Sequence, residues 1–209
     1  MKKSCAVCLA LALASIPTMF AQSGQADQAA DHDELHKFSL SSTTFTNGEQ
    51  LPLVMVLGSN YCTYVSGGGD ESPELSWKNA PRGTRSFAVT FYDVTAAFTH
   101  WGMYNISAKR TGLPENAGVA GSSDGKQVFN DFYLGAQYDG PCPPNSVEPY
   151  VHDYVLTVYA LDKEDLCLPS SPPIFPANAE TLYRAMLGHV LGRASIHGHF
   201  STADQASSD

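Results

Sequence analysis

Residues 86–106, SFAVTFYDVTAAFTHWGMYNI, constrain the fold of this chain more than any other stretch. Phe87, Val89, Phe91 and Asp93 fall on one face of an extended segment and Ala88, Thr90 and Tyr92 on the other, the period of two that marks a strand. After a short polar connection the alternation resumes. His100, Gly102, Tyr104 and Ile106 are predicted on one face, and Trp101, Met103 and Asn105 on the opposite one. Asp93 and His100 thus stand at the ends of two apolar strands, on either side of one loop, where scaffolds commonly carry their ligand sites.

A second stretch, VHDYVLTVYAL at residues 151–161, repeats the arrangement, with His152, Tyr154, Leu156 and Val158 on one face. Gly140-Pro141-Cys142-Pro143-Pro144 precedes it as a stiff loop, because each proline fixes its own φ and pushes its predecessor toward an extended conformation. If these strands share a sheet, Asp93, His100, His152 and Tyr154 converge at one rim.

The remaining signals are mostly short strands. Residues 38–45 read as a first strand, Asn47-Gly48 as a turn, 51–57 as an apolar segment, and 72–77 and 127–134 as further strands. Residues 58–70 form a Gly-rich loop that lacks the strand, lysine and helix context of a phosphate loop. Asn178 is predicted to cap a helix whose buried face carries Leu182, Met186, His189 and Val190. Ala194, Ile196, Gly198 and Phe200 mark a last strand, with His197 and His199 facing solvent. The fold class is therefore mainly β, a sheet-on-sheet core with a peripheral C-terminal helix, in one domain over 38–201 and a tail over 202–209.

Met1-Lys2-Lys3 followed by a short apolar run interrupted by Pro17 reads as a secretory signal over residues 1–21, with Ala14 and Ala26 as alternative cleavage positions, then a polar leader over 22–37. A periplasmic or secreted location follows, with no integral membrane segment after cleavage. Losing Lys2 and Lys3, and no acid, takes the net charge from −9 to −11. Such a chain repels nucleic acid and anionic surfaces at long range, so nucleic acid is excluded as a partner and any phosphate must be held locally. Cys62, Cys142 and Cys167 remain for an oxidising compartment, enough for one disulfide and one free thiol. Their spacing fits no zinc pattern, and the His32, Asp33 and His36 tract reads as solvated leader. Asp93, His100 and His152 have the ligand types of a metal site, but nothing in their spacing requires an ion. No Gly-x-Ser-x-Gly elbow is present to suggest a serine enzyme.

Seven ordered motifs, SPELSW, PRGTRSFAVTFYD, HWGMYNI, LPENAG, GPCPP, HDYVLTVYALD and GHVLGRASIHGHF, give the chain a resemblance to the phosphatidylethanolamine-binding protein (PEBP) or Raf kinase inhibitor protein family, in its bacterial YbhB/YbcL branch. The resemblance implies a β-sandwich with a small anion-binding pocket made by Asp93, His100, Pro143, Pro144, His152 and Tyr154. In that fold Cys62 and Cys142 sit in loops beside the pocket strands and are expected to pair, leaving Cys167 free. One departure is plain. Where the family has Asp-Pro-Asp-Ala-Pro, this chain has Asp93-Val94-Thr95-Ala96-Ala97, and a shorter connection to His100. The expected function is binding, without catalysis, cofactor or metal, of a small phosphorylated or anionic headgroup resembling phosphoethanolamine, with each imidazole donating an N–H to the anion. The alternative is a secreted regulatory protein, kinase-inhibitor-like, with a vestigial pocket and a protein partner the sequence does not name.

Overall fold

The computed structural model describes residues 37–168 and 177–202; the expected signal, most of the polar leader, the His32/Asp33/His36 tract and nearly all of the tail lie outside the described residues. Among the described residues eight strands and one α-helix follow in chain order: β1 (Ser39–Ser41), β2 (Leu75–Lys78), β3 (Ser86–Asp93), β4 (Phe98–Ser107), β5 (Gly112–Leu113), β6 (Lys126–Gln127), β7 (Val151–Leu161), α1 (Ala179–Met186) and β8 (Val190–Ser201). They build a three-stranded sheet, β1-β2-β5, and a five-stranded sheet, β6-β4-β3-β7-β8, with antiparallel pairing throughout. The mainly β expectation holds.

The two sheets share the larger core. Leu40, Leu75, Trp77 and Leu113 from the small sheet pack with Phe87, Val89, Phe91, Trp101, Met103, Ile106, Leu156, Val158, Ile196 and Phe200 from the large one. The other face of the large sheet carries a smaller core of Ala88, Tyr104, Val128 and Leu161 under Leu182 and Met186 of α1. Gly102 permits this close docking, since a Cβ there would stand 2.6 Å from Val128 and 3.2 Å from Leu182.

The β3–β7 register runs one to one from Ser86↔Leu161 to Asp93↔Tyr154, as strict alternation requires. The β3–β4 register does not. It slips between Phe87↔Ile106 and Val89↔Met103, and again between Phe91↔Trp101 and Tyr92↔Thr99. Each slip is a β-bulge, which inserts one unpaired residue and reverses the facing of the strand beyond it. Asn105, at φ 57, marks the first bulge, and its side chain fixes a neighbouring loop by accepting from the Leu166 N–H at 2.8 Å and donating to Asp165. The second brings His100 onto the same face as Trp101. The sequence expectation for β4 is therefore corrected: His100 and Ile106 belong with Trp101 and Met103 on the inter-sheet face, while Gly102 and Tyr104 face the helix.

Local side-chain hydrogen bonds shorten other expected elements. The strand expected over 38–45 stops at Ser41, because Ser42 accepts from the Thr44 N–H and Glu74 captures the Thr43 N–H. The segment expected over 127–134 pairs through β6 and then through one isolated bridge, Phe129↔Asn178, before Asn130 accepts from the Phe132 N–H and turns the chain. The apolar segment 51–57 holds one 3-10 turn, Leu53–Met55. Asn178 caps α1 as expected, in a reciprocal pair with Thr181. The helix ends at Met186, ahead of Gly188 at φ 78, so His189 and Val190 leave the helical face; His189 instead meets Asp162 at 2.9 Å.

Candidate functional site

The β3–β4 hairpin, the start of β7 and the proline loop meet at one end of the inter-sheet core. They enclose a recess of about 170 Å3 lined by Asp93, Ala96, Phe98, His100, Phe132, Cys142, Pro143, Pro144, His152 and Tyr154. All six side chains expected at the site line this one recess. Ala96, Phe98, Phe132 and Cys142 were not expected there. Phe98 was legible, being two residues from His100 on the same strand; Phe132, delivered by an irregular segment, was not.

Backbone constraints place the proline loop. Gly140 lies so close to the 55–57 segment that a Cβ would come within 2.0 Å of the Met55 carbonyl. Its N–H donates to Asp70 at 2.8 Å, Leu57 N–H donates to the Pro141 carbonyl at 3.1 Å, and Thr202 Oγ1 donates to the Pro143 carbonyl at 2.8 Å. A Cys62–Cys142 disulfide ties the Gly-rich loop to the recess wall, and Cys167 is free and exposed, both as expected.

Asp93 is 3% exposed and makes bonds in two directions. Its Oδ1 accepts from the backbone N–H groups of Thr95 and Ala96 at 2.9 and 2.8 Å, which closes the hairpin without the family's prolines. Its Oδ2 lies 2.6 Å from His152 Nδ1. That contact assigns the proton: His152 donates through Nδ1, leaving Nε2 for the recess.

His100 is 3% exposed, ringed by Phe98, Phe91, Phe132 and Tyr154 at centroid distances of 5.0 to 5.6 Å. Its Nδ1 lies 2.8 Å from the Asp139 carbonyl, which can only accept, so Nδ1 carries a hydrogen. Burial pushes the His100 pKa below its ordinary value, against a smaller upward pull from the Asp139 carbonyl and from the Asp93 and Asp139 charges. A neutral ring with its hydrogen on Nδ1 offers a lone pair at Nε2. The expectation that both imidazoles donate to an anion is thus corrected for His100, which presents an acceptor, and a neutral His152 ring with its hydrogen on Nδ1 does the same.

Tyr154, 1% exposed, has a buried hydroxyl with no hydrogen-bond partner among the described residues. Burial first, then the charge and hydrogen-bonding pull of the Asp93 carboxylate beside it, which does not reach hydrogen-bond geometry with the hydroxyl, pushes its pKa far above the usual phenol range, so the O–H stays protonated. An unspent buried donor of this kind costs about 1–3 kcal/mol. No Lys or Arg lines the recess among the described residues. Among the described residues no cluster of three or more His, Cys, Asp or Glu side chains is arranged to hold a metal ion.

Two antiparallel sheets with a mostly apolar recess at one rim, carrying the polar side chains of Asp93, His100, His152 and Tyr154, define a β-sandwich with an end-on pocket. The chain belongs to the phosphatidylethanolamine-binding protein family, whose profile matches residues 41–201. It is similar to YbcL of Escherichia coli K12, with 37% identity over 145 residues that cover 64% of this chain and 74% of the relative. A UPF0098 protein of Aquifex aeolicus is 35% identical over 161 residues, covering 75% of this chain and 84% of that one. The crystal structure of E. coli YbcL, described as a new member of the mammalian PEBP family, superposes with a TM-score of 0.66 at 31% identity, covering 78% of this chain and 98% of YbcL.

Proposed function

We propose that this protein holds a small anionic or phosphorylated headgroup, resembling phosphoethanolamine, in the recess formed by Asp93, His100, Pro143, Pro144, His152 and Tyr154, and releases it unchanged. The observation that carries the reading is the orphaned Tyr154 hydroxyl, a buried donor at a mostly apolar recess, beside the Asp93 carboxylate but with no partner in hydrogen-bond geometry among the described residues. A ligand oxygen would satisfy it. The volume also fits: about 170 Å3 is below the roughly 300–1,000 Å3 of pockets that take drug-sized molecules, so the recess admits a headgroup and leaves any attached chain outside. Family membership supports the same ligand class by its name. Cys142 in the lining is bonded to Cys62, and both Asp93 oxygens are already taken by backbone N–H groups and His152. Asp93 serves as a positioning residue that fixes the His152 tautomer.

Calorimetric titration of phosphoethanolamine into wild type and Tyr154→Phe tests this. Loss of the hydroxyl is expected to weaken binding by about 1–3 kcal/mol while leaving the folded protein as stable as before or stabler, because the removed group has no partner in the free protein. Equal affinity for the two proteins would refute the reading.

We also propose export. The basic start, the short apolar run and a disulfide suited to an oxidising compartment support it. Intact-mass measurement on exported material should give a chain beginning between Ser15 and Asp27. Mature protein that retains Met1 would contradict it.

A further inference from the structure

The hydrogen-bond polarity of the recess bears on which protonation state of a ligand it takes, a question that rests on the pocket reading above. At His100, Nδ1 is committed to the Asp139 carbonyl at 2.8 Å, with a weaker pull from the Gly140 backbone, which leaves Nε2 as the second nitrogen of a ring that lines the recess. The ring packs edge to face on that of Tyr154 at a centroid distance of 5.5 Å, and both residues line the one recess. The lining therefore pairs an acceptor, His100 Nε2, with an unspent donor, Tyr154 Oη. A fully deprotonated oxyanion satisfies the donor and faces the acceptor with a second lone pair, which is repulsive.

We propose that the recess selects an ester oxyanion that still carries one acidic O–H, a phosphomonoester monoanion, with that O–H donating to His100 Nε2 while Tyr154 Oη donates to a second ligand oxygen. No covalent step is involved. The charged and titratable groups around the ligand agree with this polarity. Asp93 from β3 faces the recess with a carboxylate, which opposes a second negative charge on the ligand. His152 from β7 directs Nδ1 to Asp93 and turns Nε2 to the recess, where it donates only when the ring is protonated. Behind His100, the Asp139 carboxylate is occupied by Gln137 at 2.8 Å and Asn130 at 2.5 Å. No Lys or Arg in the lining compensates a dianion. Burial in the aromatic cage, which holds the His100 pKa down, keeps the acceptor available near neutral pH.

Methyl phosphate and methyl sulfate are the probes. As monoanions they match in shape and charge and differ in one O–H, and methyl sulfate does not titrate in the working range, so their affinity ratio cancels the protein's own titrations. At pH 6 wild type is expected to bind methyl phosphate at least tenfold more tightly than methyl sulfate. Between pH 6 and pH 8 the ratio should fall on the order of 50-fold, the loss of monoanion for a phosphate group of second pKa about 6. His100→Gln, whose amide can turn a donor toward the anion, should bring the pH 6 ratio to within about threefold of unity. Tyr154→Phe should weaken both probes by similar factors and preserve the ratio. Circular dichroism confirms that each variant is folded. A wild-type ratio near one at pH 6, a ratio unchanged at pH 8, or a full ratio retained in His100→Gln overturns the inference while leaving the pocket in place. If neither probe binds wild type, and phosphoethanolamine does not either, the pocket reading falls and this inference with it.

Discussion

β4 and β7 flank the same strand, and they bring histidines to the recess in different ways. β7 pairs with β3 without a slip, so His152 and Tyr154 reach the inter-sheet face by alternation alone, two residues apart. β4 carries two bulges, and His100 reaches that face only because the second one shifts it onto the side of Trp101. The regular strand supplies a histidine steered by a carboxylate, at 2.6 Å from Asp93. The irregular one supplies a histidine steered by a backbone carbonyl and sealed among aromatic rings. Bulges next to sites re-aim side chains in this way, and here the re-aimed residue is the one packed among four aromatic rings.

The comparison is broken most severely at Asn105. A β-branched side chain at φ 57 is strained, and the hydrogen bonds to Leu166 and Asp165 are lost with the amide. Asn105→Val is therefore expected to lower unfolding stability by about 2–3 kcal/mol. Val155→Thr, at a partly buried position in the regular part of β7, should cost much less, within about 1 kcal/mol. Urea midpoints for both variants decide the matter. Similar losses for the two would mean that the bulge is incidental to the fold.

A smaller effect sharpens the same contrast through pH. Because its folded pKa is depressed, His100 binds fewer protons folded than unfolded. Its contribution to stability is present above about pH 6.5 and is lost as pH falls toward the folded value. Asp70, which holds the Gly140 N–H behind the recess, runs the other way. Burial, the largest cause, raises its pKa from 3.8 to about 6, so its contribution is present below the unfolded value and lost as pH rises through about 6. Asp70→Asn retains an oxygen for Gly140 and removes that loss. Relative to wild type it is expected to be stabilised at pH 7.5 and little changed at pH 4, and to show more clearly the decline from pH 7 to pH 5 that His100 causes. Parallel stability profiles for wild type and variant would rule this out.

Much of this was legible in the sequence, for identifiable reasons. Residues on β3, on β7 and on β8 beyond its register slip at Leu191 alternate without interruption, so Asp93, His152, Tyr154 and the buried set from Ala194 to Phe200 could be placed on their faces from the pattern of two. The Asn178 cap was legible because capping is local chemistry. The bulges of β4 were not, because an Asn that adopts positive φ leaves the same letter in the sequence as one that does not. The loss of β-pairing after Phe129 and the arrival of Phe132 at the recess depend on the Asn130 side chain and on contacts distant in sequence. The donor-to-acceptor reversal at His100 needed the Asp139 carbonyl, 39 residues away, which no periodicity could supply.

Histidine nitrogen NMR, with 15N-labelled imidazoles and increasing phosphoethanolamine, tests the central claim that these two histidines and Tyr154 form one binding recess. In the free protein near pH 7 His100 is expected as a neutral ring with its hydrogen on Nδ1. On titration, the Nε2 resonances of His100 and His152 should shift together and saturate at one ligand per chain, while those of His189 and His197 stay in place. Resonances of His100 and His152 that remain unmoved while ligand binds, or perturbations that centre on His189 or His197, would contradict the account.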